Sequence, residues 1–126
     1  MPVRSNSLAF WLALDEVTPE MGSVNFYEGS HKLGLMGWEP TGFPRVTECP
    51  MSAPLTLQPG DATAHIAMIV HGAPENRTEK PRWGYIANYF PGMAPYTGAP
   101  SHHLGDAVME VGKPLDLPAF PVVYEP

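Results

Sequence analysis

Three polar residues share parity along Asp61-Ala-Thr-Ala-His65-Ile-Ala-Met-Ile-Val-His71, and imidazoles and carboxylates are the donors that hold divalent metals. Even spacing on a strand puts Asp61, His65 and His71 on one face. At about 3.3 Å per residue, however, the six-residue step from His65 to His71 spans about 20 Å, whereas ligands of one ion lie about 4 Å apart. An unbroken strand therefore allows at most one of them to serve a given metal. Arg82 lies eleven residues beyond His71 and directly follows Pro81. A guanidinium beside an apolar strand needs an anionic partner, and its fork fits a carboxylate through two parallel hydrogen bonds. His71 ending one strand and Arg82 opening the next could face one pocket. A satisfied strand histidine and a surface-paired arginine explain the same spacing. His31, in Gly-Ser-His-Lys, and the adjacent His102-His103 read equally as turn or loop histidines. Trp11 sits inside an apolar run, where core packing is the default for a large aromatic ring.

The elements that must position these residues are short strands. Ser7 to Val17 (SLAFWLALDEV) is almost continuously apolar, and Thr18-Pro19 ends it too early for a helix. Gly22 to Tyr27 alternates as a second strand, and Glu28-Gly29-Ser30-His31-Lys32 leaves it as a turn. Leu33 to Ala53 is irregular and rich in proline and glycine, the composition of a binding loop or a mobile insert. Leu55 to Leu57 reads as a short strand, and Pro59-Gly60-Asp61 as a turn. Ala62 to His71 is the strongest strand pattern, Arg82 to Phe90 is another, and Pro121 to Tyr124 a last short one. About five strands with no clear helix predict an all-β fold in a single domain, residues 1–126.

Composition narrows the class of function. The 126 residues carry a formal charge of −6, which disfavours nucleic acid and anionic membranes as partners. Cys49 is the single cysteine, so neither an internal disulfide nor a thiolate-rich zinc site can form. No apolar run approaches the ~18 residues of a membrane span. With no leader evident at Met1, the expected setting is a reducing cytoplasm, and the Asn76-Arg77-Thr78 sequon is read as chance.

The order of these motifs resembles the phytanoyl-CoA dioxygenase-like family of Fe(II)/2-oxoglutarate-dependent dioxygenases. Phe10 to Gly34 (FWLALDEVTPEMGSVNFYEGSHKLG) is similar to the family's strand pair after its first iron motif. Leu57 to Phe90 (LQPGDATAHIAMIVHGAPENRTEKPRWGYIANYF) is similar to its second, in which a Gly-Asp turn leads to the distal iron histidine and an arginine follows. The resemblance implies a double-stranded β-helix, a cupin-like jelly roll, and an iron held by two histidines and one carboxylate. It implies that His71 is the distal iron ligand, that Arg82 grips the far carboxylate of 2-oxoglutarate, and that Trp11 lines the cosubstrate pocket. His31 and His65 become candidates for the substrate side. The family's HxD motif has no counterpart within Met1 to Phe10, so the expectation is a fold incomplete on its N-terminal side and a chain inactive alone. Ala73 stands where relatives often have a serine that helps bind 2-oxoglutarate.

The expected function is hydroxylation of a small organic substrate. A β-sandwich module that binds small carboxylates and has lost its metal is the alternative. A metal-dependent cupin-like isomerase or hydrolase using His71 with His31, His102 or His103 is a third. An incomplete sheet also exposes an edge, through which self-association is expected.

Overall fold

The apolar run Leu8–Ala13 becomes the central strand of a sheet, because it can hydrogen-bond along both of its edges. The computed structural model describes residues 7–34, 44–99 and 104–124. Its strands are β1 (Leu8–Ala13), β2 (Asn25–Phe26), β3 (Ala62–Ile66), β4 (His71–Gly72) and β5 (Gly84–Tyr89). They form a three-stranded antiparallel sheet in the order β3-β1-β5, and a two-stranded ribbon of β2 with β4. Three short 3-10 segments, Pro19–Met21, Ser30–Leu33 and Pro44–Glu48, complete the regular structure, with no α-helix among the described residues. The protein is mostly β, as its strand-and-turn sequence predicts. No helix among the described residues is long and apolar enough to cross a membrane.

Register decides which side chains share a face. Ala9 lies opposite both His65 and Asn88, and Trp11 opposite both Thr63 and Ile86. Because side chains alternate along a strand, Ala9, Trp11, Ala13, Thr63, His65, Ile86 and Asn88 project together from one side. Leu8, Phe10, Leu12, Ile66 and Tyr89 project from the other, where Phe10 and Tyr89 meet edge to face at 5.7 Å. β3 and β5 are the sheet edges, and Tyr85 and Ile86 on β5 are 61% and 60% exposed.

The buried centre is small. Ala13, Val17 and Leu57 form it, with Trp11 and Leu55 against them. Val17 and Leu57 exchange two backbone hydrogen bonds, of 2.8 and 2.9 Å. Here the expected strand Leu55 to Leu57 reduces to one bridge, since only Leu57 finds a partner.

The expected strand Ala62 to His71 is not continuous. β3 ends at Ile66, Ile69 N–H turns back to the Ile66 carbonyl at 3.2 Å, and His71 enters the other sheet. The inference that His65 and His71 stand about 20 Å apart is therefore wrong, because it assumed that residues 67–70 were extended. Their ring centroids are 4.4 Å apart. Arg82 and Trp83 precede β5 rather than opening it. Gly22 to Tyr27 pairs as a strand only over Asn25–Phe26, with Tyr27 bridging to Met51. Pro121 to Tyr124 forms no strand, finding no ladder partner among the described residues.

The chain forms two compact units, residues 1–89 and 90–126. All five strands lie in the first. The second is held by an edge-to-face pair of Phe90 with Phe120 at 5.6 Å and by backbone bonds between Tyr96 and the segment Gly112-Lys113, of 2.7 and 2.8 Å. His102 and His103 lie outside the described residues.

Candidate metal and carboxylate site

His71 is placed by the ribbon, where it lies opposite Phe26. The turn that delivers it is pinned from the Glu28-Gly-Ser-His31 segment. Val70 N–H donates to Ser30 Oγ at 2.9 Å, and Tyr27 N–H donates to the Val70 carbonyl at 2.9 Å. Ser30 is fully buried, so its hydroxyl is the partner that an otherwise orphaned backbone amide requires. The serine of that segment, rather than His31, supports the site. His31 sits on the 3-10 turn Ser30–Leu33, does not line the cavity described below, and leaves its Nδ1 buried without a hydrogen-bond partner.

The His71 ring is oriented by its own backbone. Nδ1 lies 2.9 Å from the Ile69 carbonyl oxygen. A carbonyl can only accept, so Nδ1 carries the proton and Nε2 keeps its lone pair. Metal-ligating histidines commonly have this arrangement, with one nitrogen on a carbonyl and the other turned outward. His71 is also exposed, which leaves that lone pair reachable.

His65 meets His71 from β3, and both rings touch Phe26, at 5.2 and 5.8 Å. The His65 Nδ1 is buried and has no hydrogen-bond partner. Its pKa is lowered, first by burial and then by the neighbouring His71 imidazole.

The opposite side of the site is built around Trp11. Its ring lies across Gly84, where an added methyl would overlap ring atoms Cζ2 and Cε2, so only glycine admits the indole there. The Arg82 guanidinium carbon lies over this ring, 5.9 Å from its centroid, a cation–π distance. The one ion pair among the described residues is Arg45–Glu48, at 3.2 Å. Arg82 thus has no acidic partner there, and its fork remains available to an anion.

Trp11, Thr63, His65, His71, Arg82 and Asn88 line one cavity of about 540 Å³. No acidic side chain among the described residues lines it, so an anionic ligand meets no like charge from them. Thr63 Oγ1 is buried without a partner, and Ala73 also borders the space. His71, Arg82, Trp11 and His65 are thus brought together, and Asp61 and His31 are not. Thr63 and Asn88 escaped the sequence reading. Their signal is register: they flank Trp11 and Ala9 across the sheet, which spacing along one strand cannot reveal. Among the described residues no group of three His, Cys, Asp or Glu side chains could hold a metal. His71 has the carbonyl-bonded ring nitrogen that metal-ligating histidines commonly have, and a complete octahedral or tetrahedral set needs further donors.

The same fold occurs in alpha-ketoglutarate-dependent enzymes of known structure. The epimerase SnoN, crystallised with Fe3+, alpha ketoglutarate and nogalamycin RO, superposes with a TM-score of 0.76 at 30% identity over 91% of this chain and 49% of that one. The non-heme alpha-ketoglutarate-dependent carbocyclase SnoK from nogalamycin biosynthesis gives 0.75 at 26% identity, over 96% and 51%. The dioxygenase cdmD of Talaromyces verruculosus is 33% identical over 107 residues, 84% of this chain and 33% of that protein. The family model for phytanoyl-CoA dioxygenase (PhyH) matches residues 1–84. The chain belongs to that family, as its motif order predicts. It spans about a third of the length of the curated relative and about half of each solved structure.

Proposed function

We propose that this chain is the part of an Fe(II)/2-oxoglutarate-dependent dioxygenase that carries the distal iron histidine and the cosubstrate grip, on a double-stranded β-helix scaffold. The observation that supports this reading is the convergence on one cavity of Trp11 from β1, His71 from β4 and Arg82 from the segment before β5. His71 would hold the iron through Nε2, which its bond to the Ile69 carbonyl leaves unprotonated. Arg82 would take the far carboxylate of 2-oxoglutarate in a bidentate bond, oriented by the Trp11 ring beneath it. Trp11 and Ile86 give the cavity an apolar wall beside that bond. When bound, iron and 2-oxoglutarate use oxygen to oxidise a substrate C–H bond, releasing carbon dioxide and succinate.

The substrate is expected to be a small organic molecule, in keeping with a cavity of about 540 Å³. SnoN is an epimerase and SnoK a carbocyclase, so the outcome after C–H attack rests on groups that hold the substrate. The described residues place no carboxylate beside His71, so this chain by itself is expected to bind 2-oxoglutarate without turning it over. A reducing cytoplasm suits its free thiol, Cys49.

The test is a 2-oxoglutarate titration with and without Fe(II) or Mn(II) under anaerobic conditions. Metal is expected to tighten 2-oxoglutarate binding in the wild type and to have no effect in His71→Ala. A second reading, a metal-free carboxylate-binding module, is supported by the Arg82 fork, which has no acidic partner among the described residues. Binding of 2-oxoglutarate indifferent to metal and to chelator would establish that reading instead.

A further inference from the structure

We propose that the turn 18–22 is a clamp that positions the loop between His71 and Arg82, with Gly22 as the residue that sets how closely the loop approaches. The inference rests on the function proposed above and concerns a residue that does not itself line the cavity.

Two separate constraints meet at Gly22. It caps the 3-10 segment Pro19–Met21 in the left-handed conformation, with φ 74° and ψ 49°, and its N–H donates to the Pro19 carbonyl at 3.1 Å. Glycine adopts that conformation without steric cost. Independently, the loop backbone lies against its α-carbon. A Cβ there would overlap the Pro74 carbonyl oxygen and meet that of Glu75 at 3.0 Å. Both obstacles are backbone atoms, which cannot rotate aside as the end of a side chain can. The loop is tied at a second point, where Arg77 N–H donates to the Glu20 carbonyl at 3.0 Å.

The contact continues the ribbon that delivers His71. Phe26 pairs with His71 and Asn25 with Gly72, and counting outward in that register sets Val24 against Ala73 and Ser23 against Pro74. Val24, Gly72 and Ala73 all line the cavity. Pro74 has no N–H to extend the ladder, so close packing at Gly22 holds the loop where the hydrogen bonds stop. The Arg82 end of the loop is held independently, since Leu14 N–H donates to the Trp83 carbonyl at 3.2 Å and Ala13 pairs with Gly84. Movement at 73–75 therefore falls on the His71 side. A Cβ at Gly22 requires the Pro74 carbonyl to withdraw by about 1 Å to reach ordinary contact.

The experiment is a calorimetric titration of 2-oxoglutarate into the 126-residue chain under anaerobic conditions, without metal and with Mn(II), for the wild type, Gly22→Ala, Gly60→Ala and Arg77→Pro. Gly60 has φ 94° and nothing within 4 Å of an added Cβ, so Gly60→Ala carries the conformational cost without the contact. Misplacement by about 1 Å costs up to about 100-fold where groups must converge. Gly22→Ala should keep metal-free binding, made by Arg82 over Trp11, within about threefold of wild type and reduce the tightening by Mn(II) about tenfold. Gly60→Ala should leave both unchanged. In folded Gly22→Ala, a reduction of the tightening by less than about threefold overturns the proposal, as does an equal reduction in Gly60→Ala or a parallel loss of metal-free binding. Where near-UV circular dichroism shows Gly22→Ala to be unfolded, Arg77→Pro decides, because it deletes the donor to Glu20 and adds no bulk at Gly22. Tightening reduced there by more than about threefold supports the clamp, and a smaller reduction overturns it. A wild type that Mn(II) does not tighten removes the function proposed above, and the clamp's role with it.

Discussion

Replacing Arg82 isolates the carboxylate grip from the metal. The guanidinium is half-buried, lies over Trp11, and has no acidic partner among the described residues. A hydrogen bond to a charged group contributes about 1.5–3 kcal/mol net, and the fork can make two. The cavity is open to solvent on the His71 side, where that residue is exposed, so the lower end applies. Arg82→Ala should then cost about 3 kcal/mol, a rise of about 150-fold in the dissociation constant for 2-oxoglutarate. Arg82→Lys keeps the charge but offers no planar fork. It should retain roughly one of the two bonds and lose about tenfold. The assay is calorimetric titration of 2-oxoglutarate in the absence of metal, with near-UV circular dichroism to establish that each variant keeps the native packing of its aromatic rings. Arg82→Ala binding within about twofold of wild type, with an unchanged spectrum, would refute the assignment. Equal losses in the Ala and Lys variants would refute the bidentate geometry specifically.

Four further outcomes are expected. Gly84→Ala forces the Trp11 ring out of its place and should destabilise the fold by about 1–3 kcal/mol, read by urea denaturation, while also weakening 2-oxoglutarate binding. Ser30→Ala strips the Val70 amide of its acceptor and should cost about 1–3 kcal/mol, with looser metal binding at His71 as the second readout. The lowered His65 pKa makes the native state bind fewer protons than the unfolded chain, so stability is full above the usual histidine pKa and declines as the pH falls through it towards the lower native value. Chemical denaturation across that range should show a slope that His65→Phe removes. The exposed edge of β5 should give concentration-dependent self-association in sedimentation velocity, which a lysine at Ile86 suppresses; a strictly monomeric wild type at high concentration would refute this.

The sequence by itself determined the mostly β class of the fold and the family. The apolar run around Trp11 reads as a strand because Thr18-Pro19 ends it too early for a helix, and it forms β1. The Gly60-Asp61 turn, His71 and Arg82 could be recognised by type and spacing, and their order identified the family. Tertiary structure alone decided which residues meet. Spacing along a chain fixes distance only while the chain stays extended, and the turn at 67–70 converted an expected separation of about 20 Å into a ring contact of 4.4 Å. It likewise took two strands crossing Trp11 and Ala9 to bring Thr63 and Asn88 into the cavity. Neighbours across a sheet are set by register, and register arises from hydrogen bonds between segments that are 45 or more residues apart in the sequence.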